Sequence, residues 1–163
     1  MRRLGRSRVT AEEARSPDRA RAAAIGLLAR RDFASGELRR KLTHRGYIEE
    51  AVTEAIDELV AEGVLNDSRY VEHYVTYHAE RGEGPLRIEA ELKEFGLPAA
   101  LIQAALDAGP DWKTRAREVR TRRFGPEAPE TWPEKAKQGR FLQYRGFSSD
   151  HIRAALGPDF DID

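Results

Sequence analysis

One short pattern constrains the fold more than anything else in the sequence: a leucine, then a glycine four residues on, then a large apolar residue. It occurs as Leu42/Gly46/Tyr47, Leu92/Gly96/Leu97 and Leu142/Gly146/Phe147, at intervals of 50 residues. The segment that follows keeps the register. Val52, Ile102 and Ile152 coincide, as do Ala55, Ala105 and Ala155, and Ile56, Leu106 and Leu156. Six coincident positions in three copies mark a repeat architecture, in which small units bury their apolar faces on one another.

The repeats are helical. Apolar residues recur at three and four, as in Leu38/Leu42 and Val52/Ile56/Leu59, β-branched residues are sparse, and no segment alternates over strand length. The reading is all-α: three tandem three-helix repeats with a period of about 50, stacked into an elongated or curved molecule. Helices are expected at 19–31, 35–45 and 48–62, at 67–81, 85–95 and 98–108, and at 111–124, 133–145 and 148–156. This gives repeats at 19–65, 66–109 and 110–158, with a mobile basic arm at 1–18 and a fraying acidic tail at 159–163.

Local signals support these boundaries. Gly46, Gly96 and Gly146 stand where a helix ends in a left-handed residue, so the next apolar side chain can fold back onto the finished helix. Thr10-Ala11-Glu12-Glu13 matches a capping box, which allows a short helix at 11–15 within the arm. Ser35, Asn66 and Ser148 occupy expected N-cap positions, and Pro85 and Pro98 stand at first helical turns. A proline-rich loop, 125–133, interrupts the third repeat, and Trp132 at its end is expected to lie as a lid on the last bundle.

Composition removes several classes of function. The 163 residues contain no cysteine, which excludes disulfides, iron–sulfur clusters and thiol catalysis. No apolar run approaches the ~18 residues of a membrane span, so no membrane association is expected. The start, Met1-Arg2-Arg3-Leu4-Gly5-Arg6, lacks the apolar stretch of a secretory or twin-arginine signal, so a cytoplasmic location is expected. There is no phosphate-binding glycine loop, nucleophile elbow or HExxH motif. His73 and His78 are five apart, the wrong spacing for a metal pair on one helix face. No catalytic site, cofactor or metal is expected.

Charge points to binding. Basic and acidic residues balance at 28 each, but they segregate. Residues 1–45 carry 13 basic against 5 acidic residues, residues 46–109 carry 4 against 14, and residues 110–163 carry 11 against 9. Two basic clusters are the candidate binding residues. One comprises Arg30, Arg31, Arg39, Arg40, Lys41 and Arg45 around the first helix pair. The other lies on the helix at 111–124, where a wheel places Lys113, Arg117 and Arg120 on one stripe and Arg115 and Arg122 on another. Trp112, Ala116 and Val119 form the apolar seam between them. Arginine rows beside such a seam suit phosphate or an acidic protein surface. The acidic middle repeat would repel a nucleic acid lying along the whole chain, so a protein partner of mixed charge fits better.

Several segments together resemble the bacterial RecX family. They are Leu27-Leu28-Ala29-Arg30-Arg31-Asp32-Phe33, Glu37-Leu38-Arg39-Arg40-Lys41-Leu42 with Arg45-Gly46-Tyr47, Leu65-Asn66-Asp67-Ser68-Arg69-Tyr70, Gly84-Pro85-Leu86-Arg87-Ile88 with Glu91-Leu92, and Arg140-Phe141-Leu142 with Arg145-Gly146-Phe147. The similarity covers roughly residues 20–157 in order. It implies a non-enzymatic regulator of the RecA recombinase that lodges in the groove of the RecA–DNA filament. Such a regulator limits filament growth, ATP hydrolysis, strand exchange and coprotease activity, needs no cofactor, and binds DNA weakly. The chain departs from the family pattern at Phe33-Ala34-Ser35-Gly36 and at Gln138-Gly139. Two other readings remain open on residues alone: a free-standing nucleic-acid-binding helical protein, and a helical repeat scaffold for another partner.

Overall fold

The computed structural model describes residues 8–160, and every regular element among them is a helix. In chain order these are α1 (Ala11–Ala14), α2 (Pro17–Leu28), α3 (Ser35–Arg45), α4 (Glu49–Ala61), α5 (Asp67–Glu80), α6 (Pro85–Glu94), α7 (Ala99–Asp107), α8 (Trp112–Phe124), α9 (Trp132–Arg145) and α10 (Ser149–Leu156). All nine expected helices are present, and the expected short helix is α1. The chain divides into two compact units, residues 1–70 and 71–163.

In the first unit, α2 and α3 both pack on α4. Their shared core is Ala24, Leu27, Phe33, Leu38, Leu42, Val52, Ile56, Leu59 and Leu65. A second seam of small residues, Ala20, Ala51 and Ala55, lets α2 approach α4 closely under Tyr47. Helix α3 ends as its glycine dictates. Gly46 has φ +107°, and the Tyr47 amide donates to the Leu42 carbonyl at 3.3 Å, closing the last turn.

Two expectations in this unit are corrected. Residues 8–18 are not a loose arm. The Thr10–Glu13 capping box is formed, Ala14 is buried, and the Ile48 amide donates to the Ala14 carbonyl at 3.0 Å. Ser16 then caps α2, which begins at Pro17. Residues 1–7 of the expected arm lie outside the described residues. Nor is Ser35 an N-cap. The cap residue is Ala34, which has no side-chain acceptor, and Asp67 supplies one from 32 residues away by accepting the Ser35 amide at 2.7 Å. The first turn of α5 is thereby tied to the start of α3.

In the second unit, α8 packs on α10 and α9, and α6 packs on α7. One core gathers Ala116, Val119, Leu142, Phe147, Ile152, Leu156 and Phe160. The aligned apolar positions of the middle repeat, Leu92, Leu97, Ile102 and Leu106, are buried as well. Ala105 and Ala155, in register with the fully buried Ala55, are only half-buried. Backbone meets backbone where the α9–α10 turn crosses the start of α6. The Gly84 amide donates to the Arg145 carbonyl at 2.8 Å, and the Leu86 amide donates to Gly146 at 3.0 Å. A Cβ on Gly84 would overlap the Gly146 peptide, and a Cβ on Gly146 (φ +98°) would overlap Arg87. Both glycines are therefore required by close approach.

The end of the chain also differs from expectation. Phe160 does not fray. It is 4% exposed, and its ring fills the space beside Gly139, where any Cβ would collide with it. Residues 161–163 of the acidic tail lie outside the described residues. Trp132 is not a buried lid. It is 57% exposed and touches only the edge of this packing, with its ring centroid 5.6 Å from that of Phe160.

Candidate functional site

The end of α2, the turn after it and one face of α3 enclose an open groove of about 690 Å³ in the first unit. Residues 37, 40, 41, 44 and 45 recur at helical spacing, so Glu37, Arg40, Lys41, His44 and Arg45 share one wall. Leu27, Arg30 and Arg31 form the other, and buried Phe33 lies between. Arg31 is held in place. Its guanidinium lies 3.8 Å from the centroid of the Phe33 ring and donates to both Glu37 oxygens, at 2.6 and 3.3 Å. The Glu37 hydrogen bond raises the Arg31 pKa above its ordinary value. Lys41 also lies over the ring, at 5.8 Å. With one carboxylate set against this many cations, the groove is electropositive and suits phosphate or carboxylate groups.

Five of the six cations assigned to the first cluster therefore meet in one groove: Arg30, Arg31, Arg40, Lys41 and Arg45. Arg39 does not join them. It turns toward α4 and donates to Thr53 Oγ1 at 2.8 Å. That side of the unit is acidic, with a separate hollow lined by Glu49, Glu50, Thr53, Glu54, Asp57 and Glu58. The first unit thus presents a basic groove on α3 and an acidic face on α4.

The second basic cluster is broken up. Lys113 is exposed, and Arg115 pairs with Glu118 at 3.0 Å. Arg117 donates through Nε to the Ala154 carbonyl at 2.9 Å and stitches α8 to α10. Arg120, expected in the surface stripe, is 6% exposed. Its guanidinium donates to the carbonyls of Glu127, Gly125 and Pro126 and to Gln138 Oε1, at 3.0 to 3.3 Å. This is a structural clamp on the proline-rich loop, and it leaves the guanidinium buried on internal acceptors instead of in a surface stripe. Arg122 remains at the surface, in a smaller hollow with Arg81, Arg123, Phe141 and Arg145. The adjacent Arg122-Arg123-Phe124 was the visible signal for this hollow. That Arg81 and Arg145 arrive there from other helices was not.

One group of side chains has metal-ligand chemistry. Ligand atoms of His78, Glu83 and Glu91 lie within 4.8 Å of one another. The positive charge the carboxylates need is already present. Arg87 Nε lies 3.2 Å from Glu91 and 3.8 Å from Glu83, His78 bonds to Glu83 at 2.9 Å, and Tyr74 donates to Glu91 at 2.6 Å. Burial pushes the Glu91 pKa up, but the hydrogen bonds from Tyr74 and Arg87 outweigh it and hold the pKa below the usual value. The group reads as an ion-pair network that braces α5 against α6.

Comparison with known families bears on all three repeats. Residues 20–59, 66–106 and 113–156 match, in order, the first, second and third three-helix domains of RecX. The chain belongs to the RecX family. It is 46% identical over 137 residues to the regulatory protein RecX of a Pseudomonas fluorescens strain, covering 83% of this chain and 88% of that one. It is 45% identical over 142 residues to the RecX of Pseudomonas syringae pv. tomato, covering 86% and 92%. The crystal structure of RecX from Lactobacillus salivarius has the same fold, with a TM-score of 0.76 over 90% of this chain and 96% of that one, at 21% identity. A second RecX crystal structure superposes with a TM-score of 0.71, at 22% identity. Among the described residues, no helix is long and apolar enough to cross a membrane. Membership of the RecX family makes this chain a regulatory protein.

Proposed function

We propose that this chain regulates the RecA recombinase without catalysing a reaction of its own. It binds in the groove of the RecA–DNA filament and limits filament growth, ATP hydrolysis, strand exchange and coprotease activity. On this reading it acts in the cytoplasm, in recombinational DNA repair and control of the SOS response. The observation that carries the reading is the ordered set of three RecX domains, the first of which holds a basic groove beside an acidic face. A nucleoprotein filament offers phosphate and a mixed-charge protein surface together, and the first unit has a complement for each. DNA alone would meet the basic groove and be repelled by α4, so binding to bare DNA is weak and salt-dependent.

The test is co-sedimentation with RecA filaments on single-stranded DNA, comparing the natural chain with the Arg30→Glu/Lys41→Glu variant. Both side chains are exposed, so helix content should be unchanged by circular dichroism. The natural chain should sediment with filaments well above its level on bare DNA, and the variant should lose most of that excess. Equal sedimentation with filaments and bare DNA overturns the filament reading. Undiminished binding of the variant removes the groove from it.

A further inference from the structure

We propose that the small hollow in the second unit, where the end of α5 meets α8 and α9, docks an acidic peptide segment with an apolar side chain between its carboxylates. The hollow encloses about 140 Å³. Arg81, Arg122, Arg123 and Arg145 surround an apolar floor made by Val119 and Phe141. Helical spacing explains the set, because residues 119, 122 and 123 share one face of α8, and 141 and 145 share one face of α9.

The four arginines gather on one hollow with no carboxylate among its lining residues. Elsewhere in the chain Arg21, Arg31, Arg87, Arg115 and Arg153 each pair with a carboxylate. Among the described residues, none of these four does. Arg81 donates to the Tyr77 hydroxyl at 2.6 Å, and Arg123 and Arg145 lie 5.9 and 5.4 Å from the Phe141 ring centroid. Four like charges gathered on one hollow repel one another until an anion joins them, and a guanidinium is suited to a carboxylate held by two parallel hydrogen bonds.

The floor narrows the choice of anion. A free phosphate would engage the arginines and leave Val119 and Phe141 uncovered. A nucleic-acid strand is bound on successive stacking faces, but here there is one ring, met edge-on by Phe124 at 5.3 Å and flanked by two guanidinium groups. The volume suits one apolar side chain. A carboxylate on each side of it would then reach the arginines. The floor is firm, because Gly82 (φ +86°) lies so close to Val119 that an added Cβ would stand 3.3 Å from Val119 Cγ2.

This inference goes beyond regulation of RecA, and its test contains no RecA. The probe is a fluorescein-labelled peptide, Glu-Asp-Leu-Glu-Asp-Glu, titrated with the full chain and followed by anisotropy. The Arg122→Gln/Arg123→Gln variant, both of whose side chains are exposed, should bind the peptide about ten-fold more weakly. The Arg15→Gln/Arg19→Gln variant, which removes the same charge from exposed positions of the other unit, should bind it as the natural chain does. Replacing the central leucine of the peptide with serine should weaken binding several-fold. Absence of peptide binding overturns the proposal, as does equal binding by the Arg122/Arg123 variant. A variant that loses labelled oligothymidylate but keeps the peptide would make the hollow a nucleic-acid site instead.

Discussion

Arg120 is a cation whose removal should cost stability and not binding. Its guanidinium spans four acceptors: three loop carbonyls at 125–127 and the buried Gln138 amide oxygen. Hydrogen bonds to a charged group contribute about 1.5–3 kcal/mol each, but bonds that share one guanidinium do not add. In Arg120→Ala the loop carbonyls can turn to water, since Pro126 and Glu127 are exposed. Gln138 is buried and cannot. The stranded amide and the lost clamp together should destabilise the second unit by about 2–3 kcal/mol. The chain's two tryptophans, Trp112 and Trp132, open α8 and α9, so tryptophan fluorescence reports on this unit alone. With a slope of about 1.5 kcal/mol per M, the urea midpoint should fall by about 1.3–2 M. Arg120→Lys, with one ammonium for four acceptors, should fall between the two. If Arg120→Ala stays within about 0.5 kcal/mol of the natural chain, the clamp is refuted and Arg120 returns to the surface stripe.

Four further outcomes are expected. Gly146→Ala combines a left-handed φ with a collision against Arg87, and should cost more than the ~1 kcal/mol of conformational strain alone, read from the same tryptophan transition. Gly139→Ala should expel the Phe160 ring and lower the midpoint, and Phe160→Ala should restore part of the loss by removing the collision. Asp67→Ala should remove the side-chain acceptor of the Ser35 amide at the start of α3 and destabilise the first unit by about 1–2 kcal/mol, measured by hydrogen exchange of the α3 amides. His151 supplies the pH dependence. Burial depresses its pKa, and its Nδ1 accepts the Ser148 amide, which a protonated ring cannot do. The folded state therefore favours the neutral ring. Its contribution is full above the ordinary histidine pKa and is lost as pH falls through the depressed value, so wild type should lose more stability between pH 7.5 and 5 than His151→Gln.

The fold was legible because its signals are local and repeated. Leucine, glycine and a large apolar residue at fixed spacing state where a helix ends and which side chain folds back, and the φ values of Gly46, Gly96 and Gly146, +107°, +75° and +98°, show all three glycines in that role. The first basic groove was legible for the same reason, since residues 37–45 share one helix and its own periodicity gathers them. What escaped depended on distant partners. A helical wheel puts Arg120 in line with Lys113 and Arg117, but it contains no information about the loop at 125–127 that folds over α8 and turns carbonyls toward the guanidinium. Arg39 follows the spacing of its neighbours, yet Thr53 on α4 draws it away from the groove. The departures from the family pattern at Gln138 and Gly139 become intelligible together: the amide receives Arg120, and the missing Cβ admits Phe160. Arg81 and Arg145 lie 64 positions apart and meet only because α5 ends beside α9.

RecA-catalysed ATP hydrolysis on single-stranded DNA, followed while this protein is titrated at two salt concentrations beside a bare-DNA binding control, decides whether the filament is its target. Inhibition at amounts well below those of RecA, with weak binding to bare DNA, is the predicted result. No inhibition, or inhibition that simply tracks binding to bare DNA at both salt concentrations, would contradict regulation of the RecA filament by this chain.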